Sequence, residues 1–312
     1  MKRASSWRKK YLEKPLFADN NNIVRTAVVV GATSGIGQAI SHRLAEQGWK
    51  VVAVGRFREG RSDEIISTLT KYSPSSSLQK LEIKHSFVSC DCFSLSNVQT
   101  AVQEIVSDHT DTIDALILTQ GMATTQSFTP TPEGNDEKLT LHYFSRMAFT
   151  TLLLPALAKS TMPRGSVVLS VLSGGIHSPF TKYQQDFDLS KSYSIRNVAD
   201  AAGYYNDLGL DALAKANPTI NFVHAAPGFV NTNWGTEFHL LLRGMIRMLQ
   251  PFGKSAADCA EFMLGPTVFA SSHDEDVCPK ASDGDGVIIM GEKGEPSLLT
   301  KQHTHDAISF VW

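Results

Sequence analysis

The passage TAVVVGATSGIGQAI at 26–40 constrains this chain more than any other. Its first five residues form a short β-branched run, as a strand buried on both faces of a parallel sheet requires. A turn with Gly31, Gly35 and Gly37 in G-x-x-x-G-x-G spacing follows. Ile36, Ile40 and Leu44 then recur every fourth residue along one helical face, and Gly48 supplies a C-terminal stop. Small residues at such a turn let the backbone approach a pyrophosphate, and the helix N-terminus presents free N–H groups to it. A bare structural turn is the alternative. Its placement between an apolar strand and an amphipathic helix argues for a dinucleotide site, with Gly31, Thr33, Ser34, Gly35, Ile36 and Gly37 as contacts.

The same alternation continues. KVVAV at 50–54, IKHSFV at 83–88, DALIL at 114–118, SVVLSVL at 166–172, INFVHAA at 220–226 and GVIIM at 286–290 read as strands. Helical patterns fall between them at 63–72, 95–107, through Pro155, at 196–216 and at 255–269, with Ser62 and Ser94 placed as N-caps. Parallel neighbours need crossover helices. The expected fold is therefore α/β, a single doubly wound Rossmann-type domain over 25–312 with a seven-stranded, mainly parallel sheet.

Composition narrows the function. The 29 basic and 31 acidic side chains of the 312 residues leave a net charge of −2, without the basic surplus that phosphate-backbone binding needs, so nucleic acid is not an expected partner. Cys90, Cys92, Cys259 and Cys278 lack metal or redox spacing and are too sparse for a disulfide framework, which fits a reducing, cytoplasmic setting. No metal is expected. The basic arm at 1–24 begins MKRASSWRKKYLEKP with no hydrophobic run after it, so it reads as solvated rather than secretory, and membrane-surface contact is not expected.

The end of the second strand reads VVAVGRFREGR, with Arg56 where NAD-binding sites carry an acid, and no acid before Glu59. A guanidinium suits a 2′-phosphate, so the expected cofactor is NADP. The alternative is a set of arginines that merely solvate a loop.

VGATSGIG, Asp91 after the third strand, Gly121 after the fourth, SVLS at 170–173 and APGFVNT at 226–232 resemble the short-chain dehydrogenase/reductases over about residues 25 to 292. The chain is most similar to the retinol-dehydrogenase-like and fungal secondary-metabolism branch. The resemblance implies that Asp91 lies near the adenine, that Gly121, Pro227 and Gly228 flank the cofactor, and that Thr232 lies near the nicotinamide amide. It also implies a catalytic Ser, an assisting Asn and a helical Tyr-x-x-x-Lys, in which the Lys lowers the Tyr pKa from the same helix face.

Here the chain departs from the pattern. Ser173 stands in the serine position. His142, 13 residues before Pro155, stands in the Asn position, as either a core histidine or a proton relay. One register of the Tyr–Lys motif matches Tyr193 with Asn197 replacing Lys. A second register, anchored on Asn206, fits the spacing at both ends and places Ala199 and Gly203 in the two positions. Replacing Gly203 is then expected to stabilise a helix interior. Tyr193, Tyr204 and Tyr205 are candidate hydroxyls, or packing aromatics. Beyond APGFVNT, Trp234, Phe238, Leu241, Leu242, Met245, Ile246 and Met248 could cover an apolar small-molecule substrate or serve core or homo-oligomer packing. Two functions follow as expectations. One is an NADP(H)-dependent oxidoreductase of an apolar ketone or alcohol in secondary-metabolite biosynthesis, with Ser173 orienting the carbonyl and Tyr193 passing the proton. The other is a cofactor-binding cyclase, isomerase or scaffold of the same fold.

Overall fold

In the computed structural model, residues 23–74, 83–232, 240–271, 286–297, 299 and 303–311 are described. Residues 1–22 of the basic arm, Trp234, Phe238 and the side chains of Leu241, Leu242 and Ile246 lie outside them.

Seven strands, β1 (Thr26–Val30), β2 (Lys50–Gly55), β3 (Ser86–Ser89), β4 (Ala115–Leu118), β5 (Val167–Val171), β6 (Asn221–Ala225) and β7 (Ile288–Met290), form one sheet. Their order is β3-β2-β1-β4-β5-β6-β7 and every pairing is parallel. Each expected strand is present, with ends that differ from the expected ones by up to three residues. The helices are α1 (Gly35–Glu46), α2 (Arg61–Tyr72), α3 (Leu95–Glu104), α4 (Ser145–Leu157), α5 (Ile195–Ala216), α6 (Leu240–Leu249), α7 (Ala256–Met263), α8 (Gly265–Ser271) and α9 (His305–Val311). The expected helix at 255–269 is thus two helices that meet at Leu264.

Period-two alternation divides the strands between two cores. Ala27, Val29, Val51, Ala53, Ile117 and Leu169 pack with Ile40, Leu44 and Met263. Val28, Val30, Val52, Val54, Leu116 and Val168 face the other way, onto Val98, Phe149, Tyr205 and Leu208. Strand order reverses between β1 and β4, and ligands bind at the carboxyl ends of strands at such a point.

Two local expectations change. Ser62 lies inside the first turn of α2, because the helix starts at Arg61 after Gly60, whose φ of 72° only glycine adopts freely. Ahead of α4 the backbone runs through a π-helical stretch, Thr140–Phe144, which contains His142. Ser94 caps α3 as expected, its hydroxyl accepting from the Asn97 N–H.

Candidate functional site

A cleft of about 720 Å³ opens at the carboxyl ends of the strands around the β1–β4 switch point. All the residues expected to hold the cofactor line it: Gly31, Thr33, Ser34, Gly35, Ile36, Gly37, Arg56, Asp91, Gly121, Pro227, Gly228 and Thr232.

The turn after β1 is shaped by close backbone approach. Gly31 has φ 86°, and a Cβ there would stand 2.6 Å from Thr119 Oγ1 and 2.7 Å from the Gln120 N. At Gly37 a Cβ would stand 2.3 Å from Thr119 Oγ1 and 2.4 Å from the Gly31 carbonyl oxygen. Thr119 cannot easily yield, because its hydroxyl donates to the Val30 carbonyl at 2.8 Å. The glycines thus leave a concave, backbone-lined bed at the start of α1, as a pyrophosphate requires. At the end of β2, Arg56 is exposed and lines the cleft. Arg61 is engaged instead, donating to the Thr33 carbonyl at 2.6 Å and pairing with Glu64 at 2.7 Å.

The other half of the cleft has an apolar wall of Met122, Leu141, Val171, Leu172 and Phe229, with Gln120, Gln126 and Glu137 among its polar lining. His142 lines this half, but its Nε2 accepts from the Met122 N–H at 3.0 Å. Burial, with the Arg146 and Lys138 charges nearby, lowers its pKa to about 3, so the ring is neutral and carries its proton on Nδ1. It is a poor acid. Its backbone carbonyl accepts from Asn206 Nδ2 at 2.7 Å, and Asn206 Oδ1 accepts from the Ser170 hydroxyl at 3.0 Å, which ties α5 to the π-helical stretch and to β5.

Ser173 and Tyr193 stand outside the cleft lining. Because β5 ends at Val171, the two residues that reach the cleft are Val171 and Leu172. Ser173 Oγ turns instead toward Gly203, where a Cβ would lie 2.5 Å from it and 2.6 Å from the His177 ring. Gly203 therefore has a packing reason, and the expectation that replacing it stabilises the helix does not hold. Ala199 is exposed on α5. Tyr193 packs edge-on to Phe128 and donates to the carbonyl of Gln126, a cleft residue, at 3.1 Å. The Lys138 ammonium lies 5.3 Å from its ring centroid, though Lys138 is already paired with buried Asp136 at 3.0 Å. Burial raises the Tyr193 pKa and outweighs the Lys138 cation. Tyr204 and Tyr205 are buried in the core. Burial pushes Tyr204 up to about 12 and Tyr205 higher, and the Tyr205 hydroxyl donates to the Phe187 carbonyl. Both are packing aromatics. Among the described residues the cleft lining contains no tyrosine and no lysine.

Sequence reasoning missed Arg146. It is fully buried on α4, lines the cleft, and donates to the carbonyls of Leu118, Val171 and Gln120 and to Ser170 Oγ at 2.6–3.2 Å. Its guanidinium holds the carboxyl ends of β4 and β5 together, and burial lowers its pKa to about 9. One charged residue inside the apolar run SRMAFTTLLLPAL was the signal. Met245 and Met248 are exposed on α6, so they are not core packing.

A sequence profile of the short chain dehydrogenases matches residues 25–184. The chain belongs to this family. Among curated relatives, it is 32% identical to "Oxidoreductase AN1596" of Emericella nidulans over 67% of this chain and 59% of that protein. It is 27% identical to "Retinol dehydrogenase 14" of Mus musculus over 83% of this chain and 81% of that one. The alignments to the fungal oxidoreductases span only about three fifths of those proteins. Among solved structures, the angucycline C-6 ketoreductase LanV with bound NADP superposes with a TM-score of 0.57 at 18% identity, covering 82% of this chain and 92% of that one. That likeness concerns the fold. Among the described residues no helix is long and apolar enough to cross a membrane.

Proposed function

We propose that this member of the short-chain dehydrogenases is an NADP(H)-dependent oxidoreductase that interconverts a ketone and an alcohol on an apolar small molecule of secondary metabolism. One observation carries the reading: a glycine bed, Arg56 and an apolar wall share a single cleft at the switch point. Gly31 and Gly37 let the turn pack against Thr119 with no room for a Cβ, which holds the start of α1 at the cleft, where its free N–H groups suit a pyrophosphate. Arg56 fits a 2′-phosphate by charge and by fork geometry. When bound, the nicotinamide supplies the hydride. The chain's own residues hold the cofactor, exclude water with Met122, Leu141 and Leu172, and bring a proton to the carbonyl oxygen. Tyr193 is the candidate proton donor in this reading; its hydroxyl stands outside the lining, on the carbonyl of the cleft residue Gln126, and would have to leave that bond to reach a substrate.

A second reading is favoured by the lining itself, which offers neither a tyrosine hydroxyl nor a lysine ammonium among the described residues. A fold that binds the cofactor and positions a substrate without redox turnover would look the same.

The test is a calorimetric titration of NADPH and NADH into the wild type and Arg56→Asp, followed by turnover assays on a panel of apolar carbonyl compounds. We expect Arg56→Asp to weaken NADPH about tenfold or more while sparing NADH, and Tyr193→Phe to slow turnover at least about tenfold. Equal loss of both cofactors would leave Arg56 a surface residue. Tight NADPH binding with no turnover on any carbonyl would transfer the assignment to the second reading.

A further inference from the structure

Away from the cleft lining, three histidines converge on one carboxylate. Asp207 on α5 is wholly buried, and its Oδ1 faces Nδ1 of buried His224 on β6. The Ser173 N–H donates to His224 Nε2 at 3.2 Å, so this ring carries its proton on Nδ1 and gives it to Asp207. Asp207 Oδ2 is left facing two further rings. His177 Nε2, from the turn after β5, stands 3.2 Å away, and His303 Nε2, just ahead of α9, is hydrogen-bonded to Oδ2 at 3.1 Å, a hydrogen that an ion on Nε2 would replace. The three side chains are 2%, 0% and 4% exposed.

His177 decides the chemistry. Its Nδ1 lies 2.9 Å from the Ser173 carbonyl oxygen, which can only accept, so Nδ1 carries a hydrogen. That leaves Nε2 aimed at the carboxylate, and its contact with Asp207 lacks hydrogen-bond geometry. A lone pair and a carboxylate oxygen held face to face in a buried site need a positive centre between them. A proton on Nε2 is one solution. A divalent cation is the other, and the spacing suits it: metal bonds of about 2.0–2.1 Å set at tetrahedral angles separate neighbouring donor atoms by about 3.3 Å. All three donor atoms lie within 4.8 Å of one another.

We propose that His177 Nε2, Asp207 Oδ2 and His303 Nε2 bind a divalent transition-metal ion of the zinc class. Imidazole and carboxylate together select such ions over calcium or magnesium. The hydrogen bonds behind the ligands match those that orient metal-bound groups elsewhere, with His177 donating to a backbone carbonyl and Asp207 held by His224. Three protein ligands leave a fourth position for water. The ion joins the turn after β5, the middle of α5 and the segment before α9. Its role is structural, since none of its ligands lines the cleft.

The experiment uses the full chain, stripped with a chelator and titrated with Zn²⁺, and with Co²⁺ as an optical probe. We expect about one equivalent bound per chain, tetrahedral-type Co²⁺ absorption bands, and a melting temperature raised by about 5 °C when Zn²⁺ exceeds its Kd a hundredfold. His177→Gln and His303→Gln should each weaken binding by about tenfold or more. His305→Gln, at an exposed neighbour, should not change it. A stripped wild type that takes up no ion and shows no melting shift overturns the proposal and leaves a proton on His177. Binding that survives His177→Gln also overturns it, since the ion is then held elsewhere. Should either Gln variant fail to fold, the wild-type stoichiometry and Co²⁺ spectrum decide.

Discussion

At the residue scale, two glycines do different work. Gly37 is hemmed in by the Gly31 carbonyl and by a threonine whose hydroxyl is already committed. Gly37→Ala therefore has to push the turn after β1 out of shape, and NADPH affinity should fall about tenfold or more, a cost of at least about 1.4 kcal/mol. Calorimetry on a folded variant that retained wild-type affinity would remove the pyrophosphate from this turn. Gly203 stands inside a 22-residue helix, where alanine would ordinarily add about 0.5–1 kcal/mol of stability. Here its Cβ would overlap Ser173 Oγ and the His177 ring. Overpacking of this kind costs about 1–3 kcal/mol and should outweigh the propensity gain. A denaturant midpoint raised in Gly203→Ala would show that the two side chains yield freely.

At the element scale, the strand–helix alternation was legible because period-two and period-four apolar spacing report burial directly. Past Thr26 and Lys50 at their first positions, β1, β2 and β4 carry no polar side chain, because both of their faces are covered. The glycine turn that lines the cleft was equally legible, since its close approach to Thr119 is one that only glycine allows. The catalytic side was not. SVLS placed Ser173 at the cleft, but the structure brings Val171 and Leu172 there and turns Ser173 away, a difference of one residue past the strand end that spacing alone does not report. Arg146 escaped attention for a related reason: its role depends on the carbonyls of two strands distant in sequence. It links α4 to the ends of β4 and β5 through a planar fork that lysine cannot reproduce. Arg146→Lys should leave buried carbonyls without donors and cost about 2–4 kcal/mol, read from the urea midpoint. A loss below about 1 kcal/mol would mean that water replaces the guanidinium there.

At the scale of the whole molecule, buried histidines set how the fold responds to acid. Burial, reinforced by the Lys50 charge, holds His85 at about 4, and burial with Arg146 and Lys138 holds His142 at about 3, against 6.5 for a free imidazole. Both rings therefore stay neutral in the fold while the unfolded chain takes up protons below pH 6.5. Stability tied to these groups is fully present above 6.5 and falls as pH drops toward their folded values. Acidifying from pH 6.5 to 5 should cost on the order of 2 kcal/mol for each ring, a large share of the 5–15 kcal/mol typical of a folded protein. Burial also lowers His42 and His224, which add to the fall in the same direction. At Asp207 burial opposes ionisation, but its histidine partners hold the carboxyl below 3.8, so its contribution is lost only below that pH. His177 is raised by Asp207 despite burial, and its contribution is complete below 6.5 and is lost only as pH rises above that value. Thermal melts at pH 7, 6 and 5, run with a chelator present, should show a steep fall for the wild type. The fall should be shallower for His85→Gln and for His142→Asn, which restores the residue that the family resemblance places at this position. Parallel slopes in all three proteins would mean that neither buried imidazole controls the acid response.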